Sequence, residues 1–205
     1  MSILSKVSVT SVLPIYGKNY QPGYIGFTNK DSSVVSIGIA YFTGWNLMSD
    51  IHATHTLIVL DKDTCIEANL ETNSVNKSSL QNYFANPECQ IFFRKPVDFT
   101  EKIGDAIAKT ALAEVGKQYD FGAILTQALS GSLSGRILDR VFRGKFEDKI
   151  AEVLNDSEKW VCSELVAYVL DKQPIYRNKG ILDRPNSAIS PQELFEDCQI
   201  FKPWK

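Results

Sequence analysis

Cys162, His55 and Glu67 are the residues of this 205-residue chain whose types and surroundings suit nucleophilic catalysis. That chemistry needs a thiolate, a base within hydrogen-bond reach of it, and a third group that orients the base. Cys162 lies in Trp160-Val161-Cys162-Ser163-Glu164-Leu165, where an apolar approach turns into a helix. A cysteine there faces unpaired N–H groups and the positive end of the helix dipole, and both favour the thiolate. The competing reading is a packing cysteine on an apolar face, because free Cys is commonly buried.

His55 opens an apolar, β-branched run that ends at Leu60, and Glu67 lies in the next run, Thr64 to Leu70. If Asp61-Lys62-Asp63 is a three-residue turn, Leu60 pairs with Thr64 and Leu57 with Glu67. Side chains alternate along a strand, so His55, Leu57 and Glu67 then share one face. Glu67 becomes the diagonal neighbour of His55, roughly 7–8 Å away at the backbone and within reach of a long side chain. A two-residue loop would turn Glu67 to the opposite face. A carboxylate beside the imidazole would orient it and favour its protonated form. The alternative is an exposed His and Glu at a hairpin rim.

His52 competes with His55 for the base role, but it precedes the strand and is less fixed. A metal would need both histidines and a carboxylate such as Asp50, and no ligand spacing supports that. No metal or other cofactor is expected. Cys65, Cys89 and Cys198 read as small buried or half-buried residues, with Cys65 on the face of Glu67. The wide cysteine spacing, with no CxxC pair, suggests reduced thiols.

These side chains need elements to hold them. Strands are expected over 7–13, 24–28, 55–60, 64–70 and 90–94, with 34–43 a buried strand or a helix. A helix capped by Thr100 carries Ile103, Ile107, Ala111 and Val115 at four-residue spacing and stops at Gly116. Further helices are expected over 121–129 and 162–172, the latter turning Leu165, Val166, Val169 and Leu170 to the core. A loop over 181–191 leads to a last short helix with Ser190 as cap and Pro191 at its first position. Strands followed by helices indicate an α+β domain.

The composition, 44% hydrophobic and 22% charged, fits one globular domain over 1–205 and excludes disordered or disulfide-dense chains. A net charge of −2 argues against a nucleic-acid binder. No apolar run approaches the ~20 residues of a spanning helix, and no signal peptide is evident. A cytoplasmic protein is expected, or one exported by a route without a signal peptide. Residues 130–159 hold Arg136, Arg140 and Arg143 at helical spacing, diluted by Asp139, Glu147 and Asp148. They read as a solvated face, the alternatives being a lid over the cleft or a surface for anionic lipid or a partner.

His55-Thr-Leu-Ile-Val-Leu60 followed by Cys65-Ile-Glu67-Ala68 resembles the motif of NlpC-type cysteine peptidases. Tyr119-Asp120-Phe121, Cys162-Ser163-Glu164-Leu165 and Ser190-Pro191-Gln192-Glu193-Leu194 resemble the circularly permuted branch, with its YiiX-like and lecithin:retinol acyltransferase-like members. Gln21 to Thr28 resembles that branch's opening strand, with Tyr24 where an Asp is usual. The resemblance spans roughly residues 20 to 197. It implies a papain-like α+β fold, with an antiparallel sheet packed against the helix that carries the nucleophile. It also implies Cys162 as nucleophile, His55 as base and then acid, and Glu67 as orienter. The backbone N–H of Cys162 would serve as one oxyanion donor. Tyr119 would be a substrate contact, against the reading that it packs in the core. The activity implied is hydrolysis of an amide in bacterial cell-wall peptides. A lipid acyltransferase or thioesterase of the same fold, and a binding module without turnover, remain as alternatives. The partner implied is a peptide or acyl substrate; no inhibitor or immunity protein is legible.

Overall fold

The computed structural model describes residues 13–30, 53–69, 72–119, 159–160 and 162–202. Five strands form an antiparallel sheet: β1 (Ile25–Lys30), β2 (His55–Val59), β3 (Thr64–Asn69), β4 (Ser74–Ser79) and β5 (Cys89–Arg94). Two short strands, β6 (Gln118–Tyr119) and β7 (Lys159–Trp160), extend it. The order is β5-β1-β2-β3-β4-β6-β7. The β6–β7 pair is parallel, a departure from the all-antiparallel expectation. Among the described residues the α-helices are α1 (Gln81–Phe84), α2 (Glu101–Leu112), α3 (Cys162–Asp171) and α4 (Pro191–Glu196). The domain is α+β.

Strand alternation divides the core. Ile25 and Phe27 of β1, Ile58 of β2, and Ile66 and Ala68 of β3 face the larger layer. There they meet Ile107 and Ala111 of α2, Leu165, Val166, Val169 and Leu170 of α3, and Leu194 and Phe195 of α4. Each fully buried Leu, Ile or Val contributes roughly 1.5–3 kcal/mol. Leu57, Val59 and Cys65 point the other way, to a smaller layer with Tyr20, Tyr24 and Leu80. A strand covered on both faces carries an unbroken apolar run, which is why residues 56–59 read as they do.

Three local signals hold as read. Ile58 pairs with Ile66 and Val59 with Cys65, so the β2–β3 turn is the three-residue Asp61–Asp63 loop. Thr100 caps α2 by accepting a hydrogen bond from Ile103 N at 3.3 Å. Ser190 and Glu193 close a capping box on α4, with Pro191 in its first turn.

Several expectations need correction. The α2 helix ends at Leu112, not at Gly116, and Val115 is exposed. The chain turns early because Gly116, at φ +95°, donates its N–H to Val75 O and begins pairing with β4. Cys198 is exposed rather than buried, because it sits in the turn after α4. The 181–191 loop contains two 3₁₀ turns, Gly180–Asp183 and Asn186–Ala188. Leu13, placed at the end of the first expected strand, is exposed and outside any strand. The rest of that strand, the 34–43 segment, the 121–129 helix and residues 130–158 lie outside the described residues. Among the described residues no helix is long and apolar enough to cross a membrane.

Two tethers lock the larger layer. Gly23, at φ +82°, lies so close to α2 that a Cβ there would sit 2.4 Å from Gly104 Cα. Buried Arg94 of β5 donates to Phe195 O, and to Lys202 O at 2.8 Å, while its guanidinium lies over the rings of Phe195 and Phe201.

Candidate active site

Cys162 is the first residue of α3 and His55 the first of β2. There the helix start meets the strand start, and each side chain is the other's strongest favourable electrostatic partner. His55 Nε2 lies 2.6 Å from Glu67 Oε2. With Nε2 committed to the carboxylate, Nδ1 is the ring nitrogen left for the thiol. Thus the structure brings Cys162, His55 and Glu67 together in that order. The three-residue turn supplies the register that puts His55 and Glu67 on one face.

Glu67 is 1% exposed, so the rim reading of this carboxylate does not hold. Burial favours its neutral acid. The hydrogen bond and positive charge of His55, with hydrogen bonds from Ser78 and Tyr83, overcome this and bring it down to about 2. Asn69 Nδ2 adds a long contact to Glu67 Oε1 at 3.5 Å. For His55, burial opposes the charged form. The charge and hydrogen bond of Cys162, then those of Glu67, reverse the balance and raise His55 to about 10. Burial also raises the Cys162 thiol, but the charge and hydrogen bond of His55 and a hydrogen bond from the Thr56 backbone bring it below the ordinary thiol value. The Thr56 hydroxyl itself is buried without a hydrogen-bond partner.

The approach to His55 is pinned from a distant part of the chain. Gln192 of α4, itself buried, accepts from Ala53 N at 2.7 Å and donates to Glu196 Oε1 at 2.7 Å. Thr54 N donates to Thr28 O of β1 at 2.9 Å. Gln192→Ala is expected to leave the buried Ala53 N–H without its acceptor. That costs about 1–3 kcal/mol, read as a lower midpoint in urea unfolding, and it loosens the start of β2.

Tyr119 lies in β6 beside Trp160. The substrate contact expected of its side chain lies outside what is described, as do His52, Asp50 and the arginines of 130–158. Cys65 is buried in the smaller layer, where burial and the charge of Glu67 push its thiol well up; it is not poised to react. Sequence reasoning missed Thr56, Ser78, Tyr83 and Gln192 as neighbours of the site. Thr56 follows His55 directly, and Gln192 lies inside the quoted Ser190-Pro191-Gln192 motif, so those two had a signal. Ser78 and Tyr83 sit on elements with no periodicity to expose them.

No family model matches this chain, and no curated protein matches it in sequence. What the site can do follows from its geometry. A thiol at a helix start, an imidazole and a buried carboxylate can hold a thiolate–imidazolium pair. Such a pair combines a nucleophile with an acid ready to protonate a leaving group.

Proposed function

We propose that this protein is a cysteine hydrolase of papain-like fold, related to the permuted NlpC-type enzymes, acting on an amide or ester carbonyl. The observation that carries the proposal is half-buried His55 held between buried Cys162 at the start of α3 and buried Glu67. Shifts that favour S⁻, ImH⁺ and COO⁻ in three adjoining groups are of the kind that cluster at functional sites. Cell-wall peptides are the substrate class proposed, because the resembling family holds such peptidases.

The chemistry runs in two halves. Cys162 S⁻ attacks the carbonyl carbon, and the oxyanion is met by the backbone N–H of Cys162 at the free end of α3. The tetrahedral adduct collapses, His55 Nδ1–H passes its proton to the leaving amine, and a thioester remains on Cys162. Neutral His55 then takes a proton from water as the water oxygen attacks the thioester. The acid departs, and the thiolate–imidazolium pair returns. Glu67 stays ionised throughout and holds the ring by Nε2.

The test is to trap the acyl-enzyme. The full chain is incubated with activated esters, muropeptides and lipid esters, quenched with acid, and examined by peptide mass spectrometry. An acyl mass on Cys162, absent in Cys162→Ala, is expected. Amine release from muropeptides supports the peptidase, and fatty-acid release moves the proposal to a lipid acyl hydrolase or transferase. No adduct from any class, with the fold intact, leaves a binding module.

A further inference from the structure

We propose that Tyr83 is a positioning residue of this site, setting the proton affinity of His55 through a carboxylate oxygen that the two share. The Tyr83 hydroxyl donates to Glu67 Oε2, the same oxygen that lies 2.6 Å from His55 Nε2. Its ring also lies against the imidazole, with centroids 6.5 Å apart and planes 17° from parallel. Tyr83 is therefore fixed against both partners of the histidine–carboxylate pair.

The fold holds it there through the same hairpin. Leu80, fully buried in the smaller layer, donates its N–H to Asp63 O at 2.9 Å, in the β2–β3 turn. Tyr83 N and Phe84 N then donate back to Leu80 O at 3.1 and 3.0 Å, forming α1. The hairpin that carries His55 and Glu67 thus also carries the anchor for Tyr83.

Two donors on one oxygen share its charge, and each weakens its basicity toward the other. With Tyr83 donating, Glu67 draws the imidazolium proton less strongly. His55 is then freer to surrender a proton at Nδ1 and to act as base in the second half of turnover. Burial, with the charge and hydrogen bond of Glu67, pushes the Tyr83 phenol far above its ordinary value, so it acts only as a donor. Among the described residues, the titratable groups facing His55 are Glu67 of β3, Cys162 of α3 and Tyr83 of α1. Those facing Tyr83 are Glu67 and Cys65 of β3 and Cys89 of β5. Any role of Tyr83 in turnover rests on the acyl-hydrolase reading above; its effect on His55 does not.

The experiment is an NMR titration of the histidine Cε1 proton in the full chain. Only two histidines are present, and His52→Ala assigns His55. The parent is Cys162→Ala, which removes the thiolate and brings the His55 midpoint toward neutral pH. Tyr83→Phe keeps the ring and is expected to raise the midpoint by about half to one unit. In a Glu67→Gln background the same change is expected to move it far less. A ring-fluorinated tyrosine at position 83, a stronger donor of the same shape, is expected to lower it. A tyrosine that only supports the fold would lower stability and leave the midpoint in place. A midpoint that stays put in both Tyr83 variants, or shifts equally without Glu67, overturns the proposal. Small-probe alkylation of Cys162 in the otherwise native chain separates the two readings. Neither fast reaction nor thiolate ultraviolet absorbance at low pH, with a Tyr83-dependent midpoint, removes the hydrolase and leaves the positioning role standing.

Discussion

His55→Ala is expected to cut the proposed turnover by roughly 10²–10⁴-fold, the contribution of a positioned acid–base group, and Cys162→Ala to remove it. The same His55 variant is expected to erase a reactivity measurable without any substrate. An ordinary thiol near pKa ~8.5 is well under 1% thiolate at about pH 6. A thiolate paired with imidazolium is ionised to a greater extent there. Its lower basicity makes it an intrinsically weaker nucleophile, with a Brønsted slope of about 0.4–0.5, so the net advantage is at most about tenfold. The chain carries its own references: Cys198 is exposed, whereas Cys65 is buried and should stay silent. Iodoacetamide labelling at about pH 6, followed by peptide mass spectrometry, should mark Cys162 ahead of Cys198 and lose that order in His55→Ala. Cys162 is only 1% exposed, so thiolate ultraviolet absorbance, which needs no access, should be titrated beside it. A wild-type chain with neither fast labelling nor thiolate absorbance at that pH has no ion pair, and the hydrolase reading goes with it.

The pair was legible in the sequence because it rests on local rules. The odd-length Asp61–Asp63 loop fixes register, register fixes faces, and faces put Glu67 beside His55. The start of α3 was legible because Leu165, Val166, Val169 and Leu170 keep helical spacing right up to Cys162. Other features depended on partners that no short window contains. Only Val75 of β4 is fully buried, so the strand shows no alternation, yet it pairs with β3 along its whole length. The α1 helix spans four residues and buries none completely, but it delivers Tyr83 to Glu67. Val115 continued the apolar spacing of α2 in sequence; the pairing of the Gly116 N–H with β4 ended the helix first. Gln192 reaches Ala53 across 139 positions, a contact that only the folded chain creates.

Glu67→Ala is expected to be the most destabilising change at the site, by about 3–5 kcal/mol. Removing one partner of a buried pair strips compensation from the other charge, and His55 would keep only Cys162. His55 would lose its acceptor, and the Tyr83 hydroxyl would lose the oxygen it donates to. Glu67→Gln keeps one amide oxygen for one of these donors, so a smaller loss is expected. The pH dependence provides the sharper check. Glu67 is lowered from 4.5 to about 2, so its contribution is complete above about 4.5 and disappears as pH falls toward 2. His55 is raised from 6.5 to about 10, so its contribution is complete below 6.5 and disappears as pH rises through 10. Both are complete together only between 4.5 and 6.5, and the site's share of stability should be greatest there. Urea unfolding across that range and beyond should show an acid limb that Glu67→Gln flattens. The alkaline limb should shrink less, because Cys162 raises His55 more than Glu67 does. An acid limb identical in wild type and Glu67→Gln would mean that the carboxylate carries no folded-state charge pairing. His55 would then be held by Cys162 alone, and the ring would have no fixed tautomer with which to serve the thiolate.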